Sequence, residues 1–83
     1  MYQVVIEKYA EKQLAKILPP HFNRIVRAIN NLVNNPRPHG YKKLTGRPGY
    51  RIRIGNYRVI YTIEDKILKV FVIDIGDRKN IYD

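Results

Sequence analysis

The sequence contains no cysteine, and only seven of its 83 residues are acidic. The absence of cysteine excludes a disulfide framework, a thiol nucleophile and thiolate zinc ligands, and it is compatible with a reducing cytoplasm. No apolar run approaches the roughly 18 residues that span a bilayer, and the first residues lack the basic flank and cleavage site of a signal peptide. The sequence therefore predicts a single cytoplasmic domain over residues 1–83 without a membrane-spanning segment, and a membrane is not the expected partner.

The few acidic residues are also unevenly placed, because none lies between Glu11 and Glu64. The same stretch holds much of the positive charge of a chain whose net charge is +9: Lys12, Lys16, Arg24, Arg27, Arg37, Lys42, Lys43, Arg47, Arg51, Arg53 and Arg58. Such a field attracts polyanions, with nucleic acid as the first candidate, an acidic protein as the second and an anionic membrane surface as the third. The alternative is a solvated basic surface that only keeps the protein soluble.

Hydrophobic periodicity predicts two helices in the first half of the chain. A short strand over residues 2–6 precedes a helix over 7–18, whose apolar side includes Ala10, Leu14 and Leu18. The Pro19-Pro20 pair ends this helix, and a second one follows with apolar residues at helical spacing up to Val33. The short connection predicts an antiparallel helical hairpin.

Three strands are predicted in the second half, over residues 50–54, 57–63 and 68–75, after an exposed loop over 37–49. The last strand is almost continuously apolar, which predicts a central position covered on both faces. The chain then has an α+β fold with the order β-α-α-β-β-β. The helical hairpin packs on one face of an antiparallel-dominated sheet and leaves the other face open.

A tight β-hairpin is predicted over residues 50–61, where Tyr, Ile and Val alternate with Arg around a Gly-Asn turn. A two-residue turn at this dipeptide places Arg53 directly opposite Arg58, and Arg51 points the same way as Arg53. Because like charges facing each other destabilise a sheet by up to ~1 kcal/mol, the arrangement indicates an anionic ligand. We call the surface formed by Arg51, Arg53 and Arg58 the arginine face. The alternative is that they are ordinary exposed strand arginines.

Guanidinium groups match the oxygen atoms of phosphates and stabilise the negative charge that accumulates in phosphoryl transfer, which suits a nuclease. Beyond the last strand, Arg78 is predicted to join the arginine face, and Tyr82 to stack on a base or take part in proton transfer. A packing role for this tyrosine is the alternative. The spacing of His and carboxylate residues predicts no metal site, and no cofactor is expected.

Four segments together resemble the RelE/ParE toxin superfamily: KLTG at 43–46, GYRIR at 49–53, GNYRVIY at 55–61, and GDR at 76–78 followed by Tyr82. The resemblance covers the whole chain. It implies the toxin of a type II toxin–antitoxin system, and in the RelE branch a metal-independent mRNA interferase. This kind of endoribonuclease enters the ribosomal A site, cleaves mRNA by attack of a ribose 2′-hydroxyl on the adjacent phosphate, and inhibits translation.

The resemblance also implies roles for individual residues. Arg51 and Arg53 fall on basic active-site positions, Arg58 on a phosphate-binding arginine, Arg78 on an arginine that protonates the leaving oxygen or stabilises charge, and Tyr82 on a tyrosine that orients the base or activates the nucleophile. RNA binding is expected from the same three strand arginines and from Lys42, Lys43 and Arg47. Since arginine stays protonated, positions 51 and 53 do not supply a general base, and its identity stays open.

The ParE branch of the superfamily implies a different activity, inhibition of DNA gyrase without nuclease activity. That branch generally lacks the arginine and tyrosine at the end of the chain, so Arg78 and Tyr82 favour the RelE reading. A nucleic-acid-binding or protein-binding module without activity is a third possibility. Either toxin implies a cognate antitoxin in a hetero-oligomer, whose acidic, partly disordered segment folds over the helices and the arginine face. The RelE reading adds the ribosome and mRNA as partners.

Overall fold

The computed structural model describes residues 1–77, which form two α-helices and five strands. The elements in chain order are β1 Gln3–Ile6, α1 Lys8–Ala15, α2 His21–Asn31, β2 Lys42–Lys43, β3 Tyr50–Ile54, β4 Tyr57–Glu64, a 3₁₀ turn Asp65–Ile67 and β5 Lys69–Asp77. The sheet order is β1-β5-β4-β3-β2, with β1 parallel to β5 and the other neighbours antiparallel. The predicted α+β fold is confirmed.

Strand β2 is missing from the sequence-based prediction, which assigned residues 37–49 to a loop. It consists of Lys42 and Lys43 alone, paired with Arg51 and Tyr50 at the edge of the sheet. Two consecutive lysines carry no apolar alternation, so only the pairing with β3 defines the strand. The correction matters because β2 forms the border between the two faces of the sheet.

The strand buried on both faces is β4 and not β5. Strand β5 lies inside the sheet between β1 and β4, but its burial alternates, so that Val70 and Val72 are buried while Phe71 is only half-buried. Strand β4 is the middle strand, and its four consecutive residues 58–61 are all buried. Its mixture of Arg, Val, Ile and Tyr hides this position in the sequence, because two-sided burial is expected of continuous apolar runs.

Both helices pack on one face of the sheet, as predicted. A single apolar core joins them to the strands through Ala10, Leu14, Ile25, Ile29, Ile52, Val59, Tyr61, Val70, Val72 and Ile75. Each large side chain buried in this way contributes roughly 1.5–3 kcal/mol through removal of apolar surface from water. The core therefore holds β3, β4 and β5 in a fixed register beneath the helices.

Helix α1 is shorter than predicted and ends at Ala15. The amides of Lys16 and Ile17 bond to carbonyls three residues back, to Gln13 and Leu14, so the last turn tightens. The next residue, Leu18, precedes Pro19, and the helical conformation is disfavoured for a residue before a proline. Leu18 is consequently 76% exposed and lies outside the core, contrary to the prediction.

Neither helix among residues 1–77 has the length and apolar character required to cross a membrane.

Candidate functional site

The β3–β4 hairpin has the register that its turn predicted. Gly55 has a φ of +60°, which glycine adopts without strain, and the chain reverses here so that Arg53 pairs with Arg58. Arg51 pairs with Ile60 two residues along, so its side chain leaves the sheet on the same side as the other two arginines. The predicted arginine face therefore exists, and it lies on the side of the sheet opposite the helices.

This face is less open than predicted. Arg51 is 7% and Arg58 8% exposed, whereas Arg53 is exposed. A small apolar cluster of Leu44, Ile60 and Ile73 is packed next to them, because Ile60 is the cross-strand partner of Arg51. A buried guanidinium has a large desolvation cost and keeps few rotamers. Two of the three guanidinium groups are therefore largely removed from contact with water.

The basic residues before β3 divide between three places. Lys42 pairs with Arg51 and lies on the arginine face, whereas Lys43 pairs with Tyr50 and points to the helix side of the sheet. Arg47 is exposed in the loop between β2 and β3. The residues of the predicted RNA-binding set therefore lie on both faces of the sheet and in a loop, because neighbouring residues of a strand point to opposite faces.

Arg37, another residue of the basic stretch, forms an ion pair with Asp65 away from the arginine face. Its guanidinium donates to both carboxylate oxygens of Asp65, at 2.9 and 3.3 Å, and the Tyr2 hydroxyl donates to the same carboxylate at 2.6 Å. The hydrogen bonds from Arg37, and then from Tyr2, lower the pKa of Asp65. This network ties the N-terminus to the turn before β5.

Asp74 of β5 is a polar residue that the sequence analysis did not single out. A register shift between Ile60 and Tyr61 pairs its backbone with Ile60, in the same cross-strand row as Arg51. Its carboxylate is nevertheless bound by α1 and not by the arginine face, because Gln13 donates to Asp74 Oδ1 at 2.9 Å while accepting the amide of Ile75 at 2.6 Å. A carboxylate within the apolar run of residues 70–75 was the available signal.

The predictions for Arg78 and Tyr82 lie outside the described residues. Strand β5 ends at Asp77, and its Gly76 is the cross-strand partner of Arg58. The described part of β5 therefore includes the residue beside Arg58 on the arginine face. Within residues 1–77, no group of three His, Asp or Glu side chains is placed to hold a metal ion.

A two-helix layer on one face of a mostly antiparallel sheet, with arginines on the other face, defines a RelE-like toxin fold. It is similar to the archaeal RelE–RelB complex from Pyrococcus horikoshii OT3, with a TM-score of 0.84, 29% identity, and coverage of 96% of this chain and 98% of that one. For the RelBE2 toxin–antitoxin complex from Mycobacterium tuberculosis the TM-score is 0.81 at 26% identity, covering 93% and 98%. For the intact Escherichia coli RelBE complex it is 0.80 at 26% identity, covering 93% and 96%.

Residues 4–82 match the sequence profile of the family described as ParE toxin of type II toxin-antitoxin system, parDE. The chain belongs to this family, within the RelE/ParE superfamily, and is a toxin of the type II toxin–antitoxin class. The predicted superfamily is thereby confirmed. A comparison with curated proteins finds no match.

Proposed function

We propose that this toxin is a ribosome-dependent, metal-independent endoribonuclease that cleaves mRNA in the ribosomal A site and so inhibits translation in the cytoplasm. The observation that carries the proposal is the apposition of Arg53 and Arg58, with Arg51 on the same face. Three guanidinium groups at neighbouring sheet positions match the oxygen atoms of a phosphodiester. Similarity to the RelE chains of three solved toxin–antitoxin complexes supports the nuclease branch.

In this reaction a ribose 2′-hydroxyl attacks the adjacent phosphorus and the 5′-oxygen of the next nucleotide leaves. The new P–O bond closes a 2′,3′-cyclic phosphate, one proton leaves the attacking hydroxyl, and one proton reaches the leaving oxygen. Buried Arg51 and Arg58 stabilise the charge on the non-bridging oxygens, while exposed Arg53 draws the RNA backbone onto the face. We assign to Tyr82 the orientation of the base or activation of the nucleophile, and to Arg78 protonation of the leaving oxygen or charge stabilisation. Arginine does not accept the hydroxyl proton at neutral pH, so Arg51, Arg53 and Arg58 are not assigned as the general base.

The toxin is expected to be held inactive by a cognate antitoxin in a hetero-oligomer. The similar structures from Pyrococcus, Mycobacterium and Escherichia are toxin–antitoxin complexes, and in the Pyrococcus complex the partner is named RelB. A net charge of +9 favours a partner segment rich in acidic residues. We expect such a segment to fold as it binds, over the helices and the arginine face.

Gyrase inhibition is the second candidate function, and one observation favours it. The profile that matches residues 4–82 is that of ParE toxins, although the similar structures are RelE chains. Under this reading the arginine face is a protein-binding surface and no RNA is cut.

The test is induction of the chain in growing cells, followed by primer extension on a translated mRNA. The Arg58→Ala and Tyr82→Phe variants are compared with Arg24→Ala, which removes an exposed arginine from α2 on the other side of the sheet. Translation-dependent cuts that vanish in the first two variants and persist in the third support the nuclease. Growth arrest without cuts, together with DNA-damage signalling, supports gyrase inhibition instead.

A further inference from the structure

The edge strand β2 places consecutive basic residues on opposite faces of the sheet. Lys42 lies beside Arg51 on the arginine face, and Lys43 lies beside Tyr50 on the helix side. Neighbouring strands are only about 4.8 Å apart, so the step from Arg51 to the border of the sheet is short. A polyanion that follows the positive charge from the arginine face therefore reaches Lys43 by passing over this edge.

Beyond the edge, Lys43 adjoins a ladder of tyrosine rings. The centroids of Tyr41 and Tyr50 are 5.8 Å apart with 51° between the ring planes, and those of Tyr50 and Tyr61 are 6.0 Å apart with 34°. The ladder is firmly anchored, because Tyr61 is fully buried and its hydroxyl donates to the carbonyl oxygen of Pro36 at 2.8 Å. The guanidinium of Arg37 lies 5.8 Å from the centre of the Tyr50 ring.

The outer member of the ladder is accessible. Tyr41 is 37% exposed, although it is a large aromatic residue, and it immediately precedes Lys42 and Lys43 in the chain. An exposed aromatic ring beside cationic side chains is the arrangement that binds single-stranded nucleic acid, because bases stack on the ring while the cations neutralise phosphates. The basic residues alone would suit an acidic peptide equally well. The ring favours a ligand with flat aromatic groups.

We propose that Tyr41 is a stacking platform for a base of the single-stranded RNA that leaves the arginine face, with Lys43 neutralising an adjacent phosphate. This inference rests on the proposed function, since it assumes that RNA occupies the arginine face. Tyr41 and Lys43 then form a second part of the RNA-binding site, on the helix side of the β2 edge. This part contacts nucleotides that flank the one that is cut.

The test is fluorescence anisotropy with a labelled 12-nucleotide RNA that carries 2′-O-methyl groups, so that it binds without being cleaved. A second probe is a strand of the same length and charge without bases. The expected result is that Tyr41→Ala weakens binding of the RNA by about 5-fold or more, while Tyr41→Phe stays within about 2-fold of the unmodified protein. Lys43→Ala weakens binding of both probes, because its contact is electrostatic.

Tyr9 provides the matched control. It is an exposed tyrosine, 63% accessible, on α1 and outside the ladder. Tyr9→Ala should bind both probes as the unmodified protein does, and melting temperatures establish that each variant is folded. Equal RNA affinity of Tyr41→Ala and the unmodified protein overturns the inference. So does an equal loss on the strand without bases. A labelled acidic peptide of the same length is a third probe, and an equal loss in its binding also overturns the inference, because it would indicate a protein-docking surface.

Arg53→Ala separates failure of this inference from failure of the proposed function. If it weakens binding of the RNA while Tyr41→Ala does not, the arginine face binds RNA and only the platform is wrong. If Arg53→Ala leaves RNA affinity unchanged, the arginine face is not the RNA site. The path over the β2 edge and the proposed nuclease activity then both fail, whatever the result for Tyr41.

Discussion

Arg53 and Arg58 are direct cross-strand partners on the same face of the β3–β4 hairpin. Like charges at such positions cost up to ~1 kcal/mol, and a hydrophobic or opposite-charge pair would stabilise the hairpin instead. Where like charges are placed together at a functional site, activity is commonly obtained at a cost in stability. The pair therefore links the stability of this protein to its proposed activity.

Replacing the exposed member of this pair should separate stability from activity. Arg53→Thr removes the repulsion, keeps a residue suited to a strand, and is expected to raise the free energy of unfolding by up to ~1 kcal/mol. The same change should weaken translation-dependent mRNA cleavage, because Arg53 draws the RNA backbone onto the arginine face. Urea denaturation and primer extension measure the two effects. Full cleavage by this variant would remove Arg53 from the catalytic set.

At Arg58, the buried member of the pair, the shape of the cation should affect the cleavage rate as well as its charge. Arg58→Ala is expected to lower the cleavage rate by about 10²- to 10³-fold, as loss of one preorganised donor does elsewhere. Arg58→Lys keeps the charge but loses the planar fork that binds two oxygens, so an intermediate rate is expected. Single-turnover cleavage on programmed ribosomes measures these rates, and thermal unfolding identifies any variant that fails to fold. Equal rates for the lysine and arginine proteins would exclude bidentate binding.

The hydrogen bond from Tyr61 to Pro36, which anchors the tyrosine ladder, can be tested by measuring the stability of the folded protein. Tyr61→Phe leaves the carbonyl of Pro36 without its buried donor and is expected to lower the free energy of unfolding by ~1–3 kcal/mol. Tyr9→Phe removes the hydroxyl of a tyrosine that is 63% exposed and serves as the control, with an expected change within ~0.5 kcal/mol. Denaturant titration of both variants gives the comparison. A similar effect from the two would show that burial of the Pro36 bond contributes nothing.

The Arg37–Asp65 pair predicts a pH dependence of stability. The pKa of Asp65 is lowered, mainly by the hydrogen bonds from Arg37, from an ordinary value of 3.8. A depressed carboxyl pKa stabilises the folded state fully at pH values above the unfolded pKa, and this contribution is lost as the pH falls through the lower, folded pKa. The unmodified protein should therefore exceed Asp65→Asn in stability at pH 6, with the difference declining below about pH 4. Urea titrations from pH 6 to pH 2.5 measure it, and a constant difference would contradict the assignment.

Much of the arginine face could be predicted because it depends on residues that are close together in the sequence. A two-residue turn at Gly55-Asn56 sets the pairing of Arg53 with Arg58, and strand alternation sets the direction of Arg51. The helices were also predictable from periodicity, apart from the early end of α1. The ends of helices are harder to predict than their centres, because capping residues and a following proline compete with the apolar pattern.

The features that could not be predicted from the sequence depend on contacts between residues that are distant in the chain. Strand β2 exists only through its pairing with β3, and that pairing sends Lys43 away from the arginine face. Asp74 joins the row of Arg51 because a register shift intervenes between β4 and β5. No local pattern encodes either event, since both are set when strands meet across the sheet.

The sequence by itself determined the α+β class, the order of the elements other than β2, the excess of positive charge and the face that carries three arginines. These follow from composition, periodicity and turn chemistry, which act over a few residues. Tertiary structure decided that Arg51 and Arg58 are buried, that Lys42 and Lys43 lie on opposite sides of an edge, and that Tyr41 stands at the end of an anchored ladder. Burial and juxtaposition of this kind arise only when separate strands and loops pack together, so no single segment specifies them.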